Sequence, residues 1–139
     1  MRLDPTEARR RLEAARSARL ATASASGVPH LVPITFAVDD DRLFFVIDHK
    51  PKTTANLRRL RNISENPHVS VLVDHYADDW EQLWWVRADG IAEVWHGGVE
   101  RHRAVELLAA KYPQYRAAVP DGPVVVISLG QVTGWSYTD

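Results

Sequence analysis

Apolar and polar positions change period along this chain, and each change marks an element. Asp4-Pro5-Thr6-Glu7 opens a helical pattern. Asp4 can cap, Pro5 suits the first helical position, and Glu7 stands where a capping box needs its carboxylate. Ala8, Leu12 and Ala15 then share one face, which predicts a helix over roughly residues 5–16. Next the period becomes two. RLATAS alternates and runs into a Ser-Gly turn, HLVPITFAV is a second apolar run, and RLFFVID is a third after Asp39-Asp40-Asp41. Pro33 has no N–H to give a ladder, so its place in the second run predicts an edge strand, a bulge or a bend.

From Thr53 the helical period returns with Leu57, Leu60 and Ile63, and Glu-Asn-Pro stops it at Pro67. HVSVLVDHY reads as a fourth strand, ADDWEQ as a loop or short turn, and LWWVRADGIAEVW as a long fifth strand bent at Gly90. Residues 99–111 predict a helix with Val99, Val105, Leu108 and Ala109 inward. YPQYRAAVPDGP is an irregular or short helical link, and VVVISLGQVTGWSY is a last strand with a break near Gly130. The first three strands are joined only by turns, whereas parallel neighbours need long crossovers. The pattern therefore predicts a mainly β fold, a six-stranded antiparallel barrel with flanking α-helices.

The length of 139 residues suits one domain, 1–139. A net charge of −1 does not suit nucleic-acid binding by the chain as a whole. No run approaches the roughly 18 apolar residues of a membrane span. The N-terminal segment shows no apolar signal-peptide core, and the chain has no cysteine. The expectation is a cytoplasmic protein that uses neither disulfides nor thiolate metal sites.

Against that neutral background one stretch stands out. IDHKPKTTANLRRLRN places His49, Lys50 and Lys52 before Thr53 and Thr54, and Arg58, Arg59 and Arg61 follow. The chain has only three lysines, and two lie here. With Thr53 or Thr54 as N-cap, free backbone N–H groups and the positive end of the helix dipole would meet both lysines. That combination predicts an anion site. A solvated basic loop beside an ordinary cap is the other reading of the same residues. The three arginines read as the helix's solvated face, with Arg58 or Arg61 placed to reach an acidic ligand tail as the other reading. A second constellation is DHYADDWEQLWWVRADG, where Trp80, Trp84 and Trp85 fall within six residues. Trp84 and Trp85 are strand neighbours and must point to opposite faces, one toward the core and one toward a groove or partner. Around Pro33 to Thr35, backbone groups are the candidates for holding a heterocycle. The six histidines have no metal-ligand spacing, and no nucleophile elbow, P-loop or dinucleotide fingerprint occurs. No side chain identifies itself as catalytic. An anion site with aromatics but no acid–base pair suits a cofactor that carries the chemistry.

These motifs resemble the split β-barrel flavin and deazaflavin oxidoreductases, the fold of pyridoxamine 5′-phosphate oxidase. The closer likeness is to the small PPOX-class proteins that depend on coenzyme F-420. The K-T-x-x-N-L-R-R…N-P-x-V-S-V-L-V-D pattern carries it, and G-x-P-H…P…F supports it. The resemblance implies a homodimer with two cofactor sites at the subunit interface. It implies that Lys52, Thr53 and Thr54, with Lys50 and His49 beside them, hold the cofactor phosphate. The ring would lie along Pro33, Ile34 and Thr35, and Trp80 of the other subunit would close the site. Fewer arginine and serine phosphate ligands than FMN oxidases carry favours F-420 over FMN. The implied reaction is hydride transfer from reduced cofactor to an unsaturated small molecule. An FMN-dependent oxidase or reductase and a non-catalytic cofactor carrier are the alternatives, with a heme-handling split barrel behind them.

Overall fold

The computed structural model describes residues 1–47 and 57–138. Four helices surround one sheet: α1 (Pro5–Ala14), α2 (Arg58–Glu65), α3 (Val99–Lys111) and α4 (Pro113–Ala117). The strands are β1 (Ala18–Ala23), β2 (Pro29–Ile34), β3 (Ala37–Asp39), β4 (Arg42–Val46), β5 (His68–His75), β6 (Trp84–Trp95) and β7 (Val124–Ser136). All pairings are antiparallel, in the order β2-β1-β5-β6-β7-β4-β3. The two edge strands, β2 and β3, are consecutive in sequence and separated only by Thr35 and Phe36. That link cannot span more than about 11 Å, so the sheet must curl until its edges meet. The result is a split barrel.

Among the described residues the strand count is therefore seven, not six. HLVPITFAV is one apolar run but two strands, because the chain turns at Thr35–Phe36 from one edge to the other. The cause is distant in sequence. The Phe36 N–H donates to the Tyr112 hydroxyl at 3.1 Å, and that hydroxyl's hydrogen is shared by the carbonyls of Arg16 at 2.9 Å and Phe36 at 3.1 Å. The Thr35 hydroxyl meets that of Tyr115 at 2.8 Å. Pro33 sits on an edge strand, as its missing N–H demands.

Inward residues of the strands, including Leu20, Leu43, Phe45, Val71, Val86 and Ile127, fill the barrel core, with Ala8 and Leu12 of α1 against it. A second cluster lies under α3, built on Leu108, Tyr112, Phe44 and Val126. Helix α1 ends two residues earlier than expected, because Ala15 is extended at φ −65°, ψ 142°. Asp4 caps it, accepting from Thr6 N–H at 2.8 Å. Glu7 does not complete a capping box; its carboxylate takes the guanidinium groups of Arg10 and Arg11. Val99 is 85% exposed rather than inward, since α3 docks through Ala104, Val105 and Leu108.

The bend expected at Gly90 and the break expected at Gly130 are one feature. Ala88 pairs with Val132 and Gly90 with Leu129, so β7 carries one extra residue there, a β-bulge. Gly90 is needed: a Cβ would lie 2.5 Å from Ile127 and 2.6 Å from the Ser128 carbonyl.

Candidate functional site

The segment expected to hold an anion, His49, Lys50, Lys52, Thr53 and Thr54, lies outside the described residues. Its two borders are described. On the entering side Ile47 is buried, and its N–H donates to the Pro123 carbonyl at 2.9 Å. Gly122 packs on the Ile47 carbonyl so closely that a Cβ would sit 2.0 Å from that oxygen. Arg101 of α3 holds the same turn, donating to the Gly122 and Pro120 carbonyls at 3.0 and 3.2 Å. The end of β4 is thus fixed where the basic segment begins.

On the leaving side α2 starts at Arg58. Leu57 is its N-cap, extended at φ −74°, ψ 141°, with no side-chain cap. The expectation that Thr53 or Thr54 caps the helix carrying Leu57 and Leu60 is therefore corrected: Leu57 ends the extended backbone itself. Asn62 donates to the Thr22 hydroxyl at 3.0 Å, a buried pair that pins α2 to β1. Glu65 accepts from Ala25 N–H at 3.3 Å.

The arginines also divide differently from the expectation. Arg58 and Arg61 are exposed, but Arg59 turns inward on the Asn62 side of the helix, three residues before it. Its Nε is buried and has no hydrogen-bond partner among the described residues, and burial pulls its guanidinium below the ordinary arginine range. Periodicity alone places Arg59 in solvent, because arginine counts as polar; a long side chain can instead lay its stem along apolar neighbours. His30 of β2 faces Thr22 across the β1–β2 ladder, and its Nδ1 is the other buried nitrogen without a partner among the described residues. Thr22, Asn62 and His30 thus form a polar seam between α2 and the β1–β2 hairpin, and helix spacing puts Arg59 on the same side of α2 as Asn62. An unpartnered buried donor calls for an acceptor supplied from elsewhere. An anionic group beside the first turn of α2 fits Arg59.

Pro33, Ile34 and Thr35 lie at the end of β2, beside the turn that closes the barrel. Pro33 and Thr35 are exposed, while the Ile34 side chain is buried, so Ile34 has only backbone to offer a ligand. Trp80 opens a single 3-10 turn, Trp80–Gln82, and is 57% exposed. Trp84 and Trp85 point to opposite faces, as strand neighbours must. Trp84 packs on the core and stacks on His75 at 6.5 Å, with Arg11 over its ring at 5.1 Å. Trp85 lies on the outer face, in a groove of about 490 Å³ with Leu31 and Leu72.

The sequence pattern predicts one tryptophan on a groove or partner face, and Trp85 is that residue; it does not single out the face's other members. Arg19, Leu31, Leu72, Trp85 and Arg87 line it, and Arg19 pairs with Asp74 at 2.9 Å. Leu31 is 64% exposed. Among the described residues no cluster of three metal-ligating side chains occurs.

Comparison with known proteins agrees with this architecture. A 5a,11a-dehydrotetracycline/5a,11a-dehydrooxytetracycline reductase of Streptomyces rimosus is 38% identical over 56 residues, which is 40% of this chain and 38% of the reductase. An FAD-binding protein from Mesorhizobium loti superposes with a TM-score of 0.72 at 25% identity, covering 96% of this chain and 95% of that one. The heme storage protein of Vibrio cholerae superposes at 0.73 with 20% identity, covering 98% and 95%, a likeness of fold. The family model for pyridoxamine 5′-phosphate oxidase matches residues 5–136, nearly the whole chain, and the chain belongs to that family.

Proposed function

We propose that this protein is an oxidoreductase that uses coenzyme F-420, working as a homodimer with cofactor sites at the subunit interface. The observation that carries the reading of a phosphate-bearing cofactor is the inward Arg59 at the head of α2, half-buried, with no acceptor for its Nε among the described residues. It directly follows the segment whose Lys52, Thr53 and Thr54 would hold a cofactor phosphate, with Lys50 and His49 beside them. Choice of the deazaflavin rests on the K-T-x-x-N-L-R-R pattern, and choice of reduction is supported by similarity to the Streptomyces reductase.

When bound, the reduced deazaflavin supplies a hydride to an unsaturated small molecule. The chain's part is binding and orientation. Lys52 and Arg59 neutralise the phosphate, and backbone groups from Pro33 to Thr35 set the ring's position along the edge strand. Trp80, exposed on its turn, is the residue to close the partner's site. No side chain need donate a proton, since solvent serves. Pairing is supported by the outer sheet face, where Leu31, Leu72 and Trp85 form an apolar surface that a lone molecule would leave wet.

FMN is the second reading: Arg59 would serve the phosphate of either cofactor, and the choice between them rests on the K-T-x-x-N-L-R-R pattern. Fluorescence titration of the purified protein with F-420 and, separately, FMN separates the two. Micromolar binding of F-420 without FMN binding is the expected result. FMN alone would establish the second reading, and binding of neither would remove both.

A further inference from the structure

The two ends of β5 carry charge of opposite sign. Helix α2 leads into the strand at His68, and the loop that holds Trp80 leaves it at His75. Seven strand steps put those ends about 23 Å apart. On the loop, Asp78, Asp79 and Glu81 fall within four residues. Asp79 is used inside the turn, where it accepts from the Glu81 N–H at 3.1 Å. At the other end, α2 has no acidic residue in its first turn, and Arg58 and Arg61 are exposed. Among the described residues Asp78, Glu81, Arg58 and Arg61 enter no ion pair. Arg10 and Arg11 share a groove with Glu81, but both are held by Glu7. Between the ends, the charges of the outer face cancel in pairs: Arg19 with Asp74 at 2.9 Å and Arg87 with Asp89 at 3.5 Å.

Two copies that pack their outer faces, built on Leu31, Leu72 and Trp85, have two choices of two-fold axis. An axis along β5 sets each end against its own copy, carboxylates on carboxylates and guanidinium groups on guanidinium groups. Like charges brought together in this way cost affinity. An axis across β5 sets the loop of each copy against α2 of the other, and an isologous contact of this kind is made twice. We propose that the axis runs across β5, so that Asp78 and Glu81 of each copy pair with Arg58 and Arg61 of the other. The same rotation carries exposed Trp80, with Tyr76 at 69% exposure, to the head of the opposite α2. There Arg59 turns inward and Arg58 and Arg61 outward, so the loop's carboxylates meet a different side of the helix from the one assigned to phosphate. The occupant, a second copy, rests on the homodimer reading above; the identity of the cofactor does not enter.

Sedimentation equilibrium of the full chain, at about 50 mM salt and again at about 500 mM, tests the orientation. Asp78→Lys with Glu81→Lys, and separately Arg58→Glu with Arg61→Glu, should each raise the dimer dissociation constant about tenfold or more at low salt. The milder pair Asp78→Asn with Glu81→Gln should raise it about threefold. The chain carrying all four reversals restores opposite signs across the contact and should return to within about threefold of wild type. High salt should shrink every loss, because exposed charges are screened. An axis along β5 predicts otherwise: a reversed end repels its own copy as before, so neither double reversal would weaken the dimer. Circular dichroism is the folding control. A wild type that stays monomeric removes the homodimer reading and this inference together. A dimer indifferent to both reversals, or one that the four reversals together do not restore, overturns the inference and leaves the homodimer standing.

Discussion

Arg59 carries a charge against its surroundings. A cation pulled from water costs stability unless something pairs with it, so Arg59→Met should melt at the same temperature as wild type or higher. The same substitution should weaken F-420 binding. A lower melting temperature with unchanged F-420 affinity would make Arg59 a packing residue instead. Lys111 shows the same tension. Burial, and after it the nearby Arg16, bring its ammonium down to about 8, with Glu13 opposing. Its Nζ lies 4.1 Å from the Phe36 ring centroid and donates to the Glu13 carbonyl at 3.2 Å. The unfolded chain keeps this proton up to about 10.5, while the folded protein sheds it from about 8. Between those values the unfolded state binds more protons, so stability should rise with pH. Melting temperatures across that window should rise for wild type relative to Lys111→Met; parallel curves would contradict the assignment. Neither residue was legible in the sequence. Periodicity sorts arginine and lysine as polar, and only the packing of α2 on β1, or of α3 on Phe36, reveals which ones are drawn inward.

At the scale of elements, the local signals read true. The cap at Asp4 and the β1–β2 hairpin depend on neighbours in sequence, and a turn residue or a change of period announces each; the bulge joins distant β6 and β7, yet Gly90 and Gly130 mark both of its sides. The division of HLVPITFAV did not show, because its cause is Tyr112, 76 residues from Phe36. The start of α2 was misplaced for a related reason: Thr53 and Thr54 look like caps, yet Leu57 is still extended. The turn at Gly122 is a similar long-range contact. Gly122→Ala would press a methyl group into the Ile47 carbonyl, and overpacking of this kind costs about 1–3 kcal/mol. Chemical denaturation should show that loss. Because the turn supports the end of β4, F-420 affinity should fall as well. An unaltered denaturation midpoint would mean that the turn yields without cost.

For the whole molecule, the barrel closes because its edge strands are consecutive, and this leaves β2, β1, β5 and β6 with an outer face too apolar for solvent. Leu31→Lys places a charge in that face. Light scattering should report a dimer for the wild type and a monomer for the variant; an intact dimer in the variant would move the proposed subunit interface elsewhere. The proposed function turns on the basic segment before α2 anchoring a cofactor by its phosphate. Its most direct test compares F-420 with the phosphate-free deazaflavin nucleoside, each titrated into wild type and Lys52→Ala by fluorescence quenching. Lys52→Ala should weaken F-420 by about 1.5–3 kcal/mol, the worth of a charged hydrogen bond, and leave the nucleoside unaffected. Equal affinities for F-420 in the two proteins, or equal losses for both ligands, would contradict the account.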